Sequence, residues 1–378
     1  LNGKRLKFTD KPFIIALSLI ILIGLVTLTS ATYGLSSDPY SFLKNQLFAT
    51  LIGVVAIIFI IRYDYTQLGR YSRILYAVSI ITLIAILFIG DEVKGSTRAI
   101  QIAFLPAIQP TEFVKIFIIL SFADFLNRRR GSLNSIGQFI PCFVYMGIPT
   151  LLIMAQPDLG TSLVFIAITL IMMFIAGANP KILVSLLVTG VLLISLTLFM
   201  HFKFDTWIPM DDYQLNRLTA FANPYEDGQG GRGAGWNTIQ SLVAVGSGGL
   251  TGQGLFEGTQ VQLRFLPEHH TDFIFAVIAE ELGFIGGATI IMLFGFLLVR
   301  VLYIAANSRD LYGTLVATGI CAMWLFHVVE NIGMSIGIMP ITGIPLPFIS
   351  YGGSNMLSNL IAVGLILSIN IRGKKIVF

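Results

Sequence analysis

The sequence predicts an all-α, polytopic membrane protein with about ten transmembrane helices and one large extracytoplasmic loop, and three observations carry that prediction. The first is charge. Only 12% of the 378 residues are Asp, Glu, Lys or Arg, against roughly 25% in a soluble domain. The second is apolar content, 55% of the chain, gathered in runs near the ~20 residues that a helix needs to cross a bilayer. The third is the placing of basic residues in short clusters between those runs, which is a topology signal. The net charge of +4 therefore marks no nucleic-acid partner. An ordinary soluble enzyme and a disordered chain are excluded as well.

Ten apolar cores follow in order, at 13–32, 42–61, 71–89, 113–126, 139–155, 159–176, 182–200, 273–304, 311–338 and 356–371. The fourth is short and borrows length from Gln109-Pro110-Thr111-Glu112. The eighth is long enough to tilt or to project into water. The first exceeds the ~7–15 apolar residues of a signal peptide, so it is expected to remain as a span. Ten spans put both termini on one side, and sixteen of the 24 Lys and Arg fall on that side. The positive-inside rule makes it cytoplasmic. Cys142 and Cys321 lie inside apolar runs and read as small buried residues. The chain reads as one domain, 1–378, whose long hydrophilic segment 201–272 faces outward. That segment carries Trp207, Trp236 and an apolar stretch at 242–245, so it is expected to be partly ordered with an amphipathic piece on the bilayer surface.

Ionisable residues inside spans cost roughly 2.5–3.5 kcal/mol at mid-span, so each needs a partner or a task. Glu112 and Lys115, three apart, share a helix face. They read either as a cavity wall for a charged substrate or as an internal ion pair that orients helices. Asp158, after Gln156-Pro157, reads as an N-cap. His269-His270-Thr271-Asp272 precede an apolar run, so Thr271 or Asp272 could cap a helix. The same cluster offers a carboxylate beside two proton carriers at a membrane boundary, and it lacks the spacing of a zinc motif. Glu280, Glu281, Glu330 and Asn331 raise the question of solvation or a cavity. The glycine-rich stretch 228–258 contains no phosphate-loop motif. The stretch 340–354, with three prolines, breaks a helix in an apolar region, where irregular backbone must be buried or line a wet cavity. It reads as a site wall or as a structural re-entrant loop.

Four blocks taken together resemble the signature blocks of the SEDS family, in the family's order and across nearly the whole chain. They are Gln109-Pro110-Thr111-Glu112-Phe113-Val114-Lys115, Gln156-Pro157-Asp158-Leu159-Gly160-Thr161, Leu266-Pro267-Glu268-His269-His270-Thr271-Asp272-Phe273, and Pro345-Leu346-Pro347-Phe348-Ile349-Ser350-Tyr351-Gly352-Gly353-Ser354. Within the family, Gly258-Thr259-Gln260-Val261-Gln262-Leu263 resembles the elongation branch more than the division or sporulation branches. The family often has Arg-Trp where this chain has Arg98-Ala99. The resemblance implies a peptidoglycan glycosyltransferase of the bacterial cytoplasmic membrane that polymerises lipid II on its outer face. It implies a class B penicillin-binding protein as crosslinking partner, beside other membrane proteins of the elongation complex and the lipid itself. Carried over, Asp272 is the essential acid. Arg98, Glu112, Lys115, Asp158, His270, Thr271 and Ser354 are the expected substrate-binding residues.

In the implied reaction Asp272 is the general base. Arg98 and Lys115, or a divalent cation (Mg or Mn), stabilise the departing diphosphate. A lipid II flippase is the competing expectation, because buried charges and broken helices also suit a transporter. Against it, the candidate residues crowd at the outer face, and the two halves of the sequence display no matching pair of broken helices. A recruiting scaffold is the third reading, and it leaves Glu112 and Lys115 with packing alone.

Overall fold

The computed structural model describes residues 10–373 except 34, 36–37, 94–95, 100–107, 132, 205, 209–211, 226–232 and 234. All ten expected cores are helical. They correspond to α1 (Lys11–Ala31), α2 (Ser41–Arg62), α4 (Ser72–Ile89), α5 (Pro110–Asn127), α6 (Ile136–Met154), α7 (Leu159–Ile175), α8 (Pro180–Phe204), α12 (Ile274–Ala306), α13 (Leu311–Ser335) and α14 (Gly353–Gly373). The six-residue α3 (Tyr65–Arg70) links α2 to α4. Among the described residues, eight helices are long and apolar enough to cross a membrane. Of the other two cores, α7 is shorter, and α5 carries three charges, Glu112, Lys115 and Asp124.

The ends follow from local chemistry. Asp10 caps α1 by accepting from Phe13 N at 3.0 Å, and its carboxylate also holds Arg300 of α12. Asp310 caps α13 through Gly313 N at 2.7 Å. Pro110 opens α5, where a missing N–H costs nothing. One departure from the sequence reading is a short hairpin, β1 (Asp91–Val93) against β2 (Ser96–Ala99), antiparallel.

The centre of the bundle is α13 and α14, apolar and buried nearly all round. α14 packs on α2, and α13 packs among α12, α7 and α5. Around them α2, α4, α6 and α8 turn rows of Leu, Ile, Val and Phe outward, the lipid-facing shell that a membrane bundle requires. Close approach depends on small residues. At Gly24 an added Cβ would lie 2.9 Å from Ile349 Cα, so only glycine lets α1 press against the chain between α13 and α14.

The eighth core is one long helix with a break inside it. It breaks at Gly283, which sits at φ 67°, ψ −164°, a conformation open essentially to glycine alone. The break frees backbone groups, and the stretch after α10 (Trp236–Ser247) satisfies them. Gln253 N donates to Glu280 O and Gly254 N to Glu281 O, each at 3.0 Å, while Phe284 N donates to Gly249 O at 2.9 Å. The segment expected to be partly ordered thus contains α9 (Asp212–Ala222), α10 and the short α11 (Thr259–Gln262), and it is pinned to the broken helix. The apolar stretch 242–245 lies in α10.

Candidate active site

Two irregular segments meet at one end of the bundle, 266–273 before α12 and 336–352 between α13 and α14. Ser350 Oγ donates to Thr271 O at 2.6 Å, and Tyr351 N donates to His270 O at 3.0 Å. Asn331 Nδ2 donates to both Asp272 O (2.7 Å) and Ile344 O (2.8 Å). Gln46 of α2 closes the far side, donating to Ser350 O at 3.1 Å and accepting from Gly352 N at 3.2 Å. Both segments hold a non-glycine residue in the left-handed region, Glu268 at φ 53° and Phe348 at φ 65°. Each such residue costs on the order of 1–3 kcal/mol and persists where its surroundings over-determine it.

This framework separates the two aspartates that sequence alone treats alike. Asp158 caps α7, accepting from Thr161 N at 3.0 Å and Thr161 Oγ1 at 2.8 Å, and it is buried. The cap residue of α12 is Phe273, not Thr271 or Asp272, and no side-chain cap bond forms at that position. Capping by Thr271 or Asp272 is therefore corrected. Thr271 Oγ1 turns back to Glu268 at 3.3 Å. Asp272 remains partly exposed at the rim. A Cβ at Gly343 would lie 3.2 Å from Asp272 Oδ2, so the loop between α13 and α14 runs directly along this carboxylate.

The two histidines also divide. His269 is buried and bridges carbonyls, with Nδ1 2.7 Å from Leu266 O and Nε2 2.8 Å from Ala31 O. It straps the segment to the end of α1, which is a structural use of both nitrogens. His270 is half-buried and edge-on to Phe42 (5.4 Å between ring centres).

Beneath the rim lies a buried polar cluster. Lys115 Nζ is 2.7 Å from Glu112 Oε1 and 3.2 Å from His327 Nε2, and Ser358 Oγ donates to Glu112 Oε2 at 3.2 Å. The ammonium can only donate, so Nε2 accepts and the ring proton resides on Nδ1. His327 escaped the sequence reading. Its signal was available, since it precedes Asn331 by four residues and shares that helix face. Glu330 accepts from Thr342 Oγ1 at 2.9 Å. Ser354 Oγ accepts from Gln109 N at 3.0 Å, tying α14 to the start of α5. The chain from 340 to 358 thus touches several parts of the candidate site. It contacts Asp272 at Gly343, the start of α7 at Thr342 and Ile344, α5 at Ser354, and Glu112 at Ser358.

Arg98 lies on β2, and its side chain falls outside the described residues. Glu280 and Glu281 are buried under the 248–262 stretch, away from solvent. Glu281 accepts from Ser30 Oγ at 2.6 Å, and Glu280 from Gln260 N at 2.7 Å. Among the described residues, no three His, Cys, Asp or Glu side chains come together as a metal ligand set.

Comparison with known proteins agrees with this architecture. The family model FTSW_RODA_SPOVE, described as "Cell cycle protein", matches residues 10–375. Stage V sporulation protein E of Bacillus subtilis is 39% identical over 96% of this chain and 96% of its own length. Peptidoglycan glycosyltransferase MrdB of Escherichia coli K12 is 34% identical over 99% and 98%. A solved chain from work on structural coordination of polymerization and crosslinking by a peptidoglycan synthase complex superposes with a TM-score of 0.77 at 27% identity, covering 96% of this chain and 97% of that one. With a family match and close relatives spanning almost its full length, this chain belongs to the FtsW/RodA/SpoVE family, the SEDS proteins.

Proposed function

We propose that this protein is a peptidoglycan glycosyltransferase that polymerises lipid II at the outer face of the cytoplasmic membrane, in the elongation of the cell. The observation that carries the reading is Asp272, a carboxylate that stays at the rim, beside the Gly343 loop, while Glu112, Asp158, Glu280, Glu281 and Glu330 are buried. Its backbone is fixed by Asn331, and its neighbour Thr271 is fixed by Ser350. A base must reach the proton it removes, and the supporting contacts must hold it there.

In the proposed step the 4-hydroxyl of the acceptor GlcNAc attacks the anomeric carbon of the donor MurNAc. The C–O bond to the polyprenyl diphosphate breaks, configuration inverts, and Asp272 takes the hydroxyl proton. The substrate's lipid tail stays in the bilayer and its sugars in water, which suits a site at the end of a bundle. His270, Thr271 and Ser354 line this end, and the family resemblance adds Arg98 as a further substrate-binding residue. Glu112, Lys115 and Asp158 shape the wall from below through their buried contacts. A divalent cation, where used, supplies charge for the diphosphate. The identity of the crosslinking partner as a class B penicillin-binding protein belongs to the same proposal, supported by the likeness to a synthase complex that couples the two activities. Both termini are assigned to the cytoplasm by their basic residues.

Purified protein in detergent, with lipid II, the partner and no second compartment, separates this reading from transport. Ladders of glycan strands are the expected product. No ladder, together with lipid II crossing the bilayer of reconstituted vesicles, would establish a flippase instead.

A further inference from the structure

A second polar site lies at the other end of the bundle. A cavity of about 300 Å³ opens between α3, the end of α5 and the start of α13, with Gly69, Arg70, Asp124, Arg128, Asp310 and Tyr312 in its wall. Tyr312 and Asn331 sit on the same helix, so the cavity is about 28 Å along the α13 axis from the contacts around Asp272.

The hydrogen bonding in this wall is unevenly spent. Both acids are committed. Asp124 accepts from Ser72 Oγ (2.5 Å) and pairs with Arg128 at 2.8 Å, while Asp310 accepts from Gly313 N (2.7 Å) and Tyr65 Oη (3.1 Å). Two donors are not. Tyr312 is 5% exposed, and its hydroxyl has no hydrogen-bond partner. Arg70 is exposed and makes no ion pair or hydrogen bond with any described residue. Gly69 lies beside the ring, where an added Cβ would just touch Tyr312 Cζ at 3.4 Å. An open phenol and an open guanidinium beside two acids that already accept suit a ligand oxygen that accepts from both donors, as an anion's does. The positive-inside reading of the sequence puts Arg62, Arg73, Arg129 and Arg130 on this same side, where they add a positive field.

We propose that this cavity binds the oxyanion of a phosphate group, gripped by the Arg70 guanidinium and the Tyr312 hydroxyl. A buried phenol without a partner is costly, and a phosphate oxygen repairs that cost. The group can come from the headgroup of an anionic lipid in the adjacent leaflet or from a soluble phosphate. The chemistry at the two donors is the same.

The test is titration calorimetry of the purified full chain in neutral detergent. Dioctanoyl phosphatidylglycerol, inorganic phosphate and phosphate-free dioctanoylglycerol form separate arms. Saturable binding is expected for a phosphate-bearing ligand and none for dioctanoylglycerol. Tyr312→Phe and Arg70→Gln should each weaken it about tenfold. Tyr312→Phe keeps the buried ring and removes a hydroxyl with no partner, so the ligand-free melting temperature should hold. Saturable binding of phosphatidylglycerol alone assigns the lipid headgroup, and equal competition by inorganic phosphate assigns a soluble source. Affinity unchanged by both substitutions, or no saturable binding in either phosphate arm, overturns the proposal.

Discussion

Asn331 Nδ2 reaches the Asp272 carbonyl at 2.7 Å and, with the same nitrogen, the Ile344 carbonyl at 2.8 Å. One side chain in the most buried part of the bundle thereby fixes the spacing between the start of α12 and the loop that runs past the Asp272 carboxylate. Asn331→Leu removes both bonds and leaves two carbonyls unpaired, at about 1–3 kcal/mol each where buried. A lower melting temperature is expected, together with loss of at least tenfold in glycan polymerisation. Thermal unfolding and a lipid II polymerisation assay on the same preparation check it.

The Glu112–Lys115 pair is closed off from solvent, with side chains 4% and 3% exposed. Lys115→Met strands a buried carboxylate, which typically costs about 3–5 kcal/mol. Adding Glu112→Gln removes the stranded charge and should restore most of the melting temperature. Activity should stay low in the double variant if the cluster also shapes the cavity. A double-mutant cycle read by unfolding measures the coupling.

Gly283 occupies a backbone region that other residues avoid, and a side chain there would also press on Leu250 and Gly252. Gly283→Ala should destabilise by at least about 1–3 kcal/mol. It should also release the stretch from 248 to 254, which bonds to the broken helix. Faster proteolytic cleavage within that stretch, beside a lowered melting temperature, is the expected pair of results.

Burial pushes the Tyr65 phenol up to about 12, with the Asp310 carboxylate adding to the shift. The neutral phenol is the form the fold favours. Its contribution is therefore complete below the ordinary tyrosine value near 10 and lost as pH rises from there towards 12. Tyr65→Phe should flatten the fall in melting temperature across that alkaline range while lowering it slightly at neutral pH, where the bond to Asp310 is lost. Melting curves at stepped pH test both signs.

Much of the fold was legible because hydropathy and helix length are local properties. Ten apolar cores became ten helices, and Asp158 capped the helix that its own sequence announced. The i,i+3 pairing of Glu112 with Lys115 was equally readable. What sequence hid was set by distant partners. Gly283 breaks α12 because residues 249–254 supply the missing bonds, and nothing nearby distinguishes it from Gly286 or Gly287. His269 looked like a proton carrier until its two carbonyl partners, one of them on α1, were in view. His327 belongs to the Lys115 cluster across more than two hundred residues of chain. Asp272 and Asp158 look alike in sequence, and only the cap geometry of the two helices tells them apart.

The most direct measurement is glycan polymerisation by purified Asp272→Asn protein with lipid II and the crosslinking partner. The substitution keeps the shape of the side chain and removes the base. Melting should match the parent protein, and the polymerisation rate should fall on the order of 10² to 10⁴-fold. Glycan ladders formed at the parent rate by a folded Asp272→Asn protein would contradict the assignment.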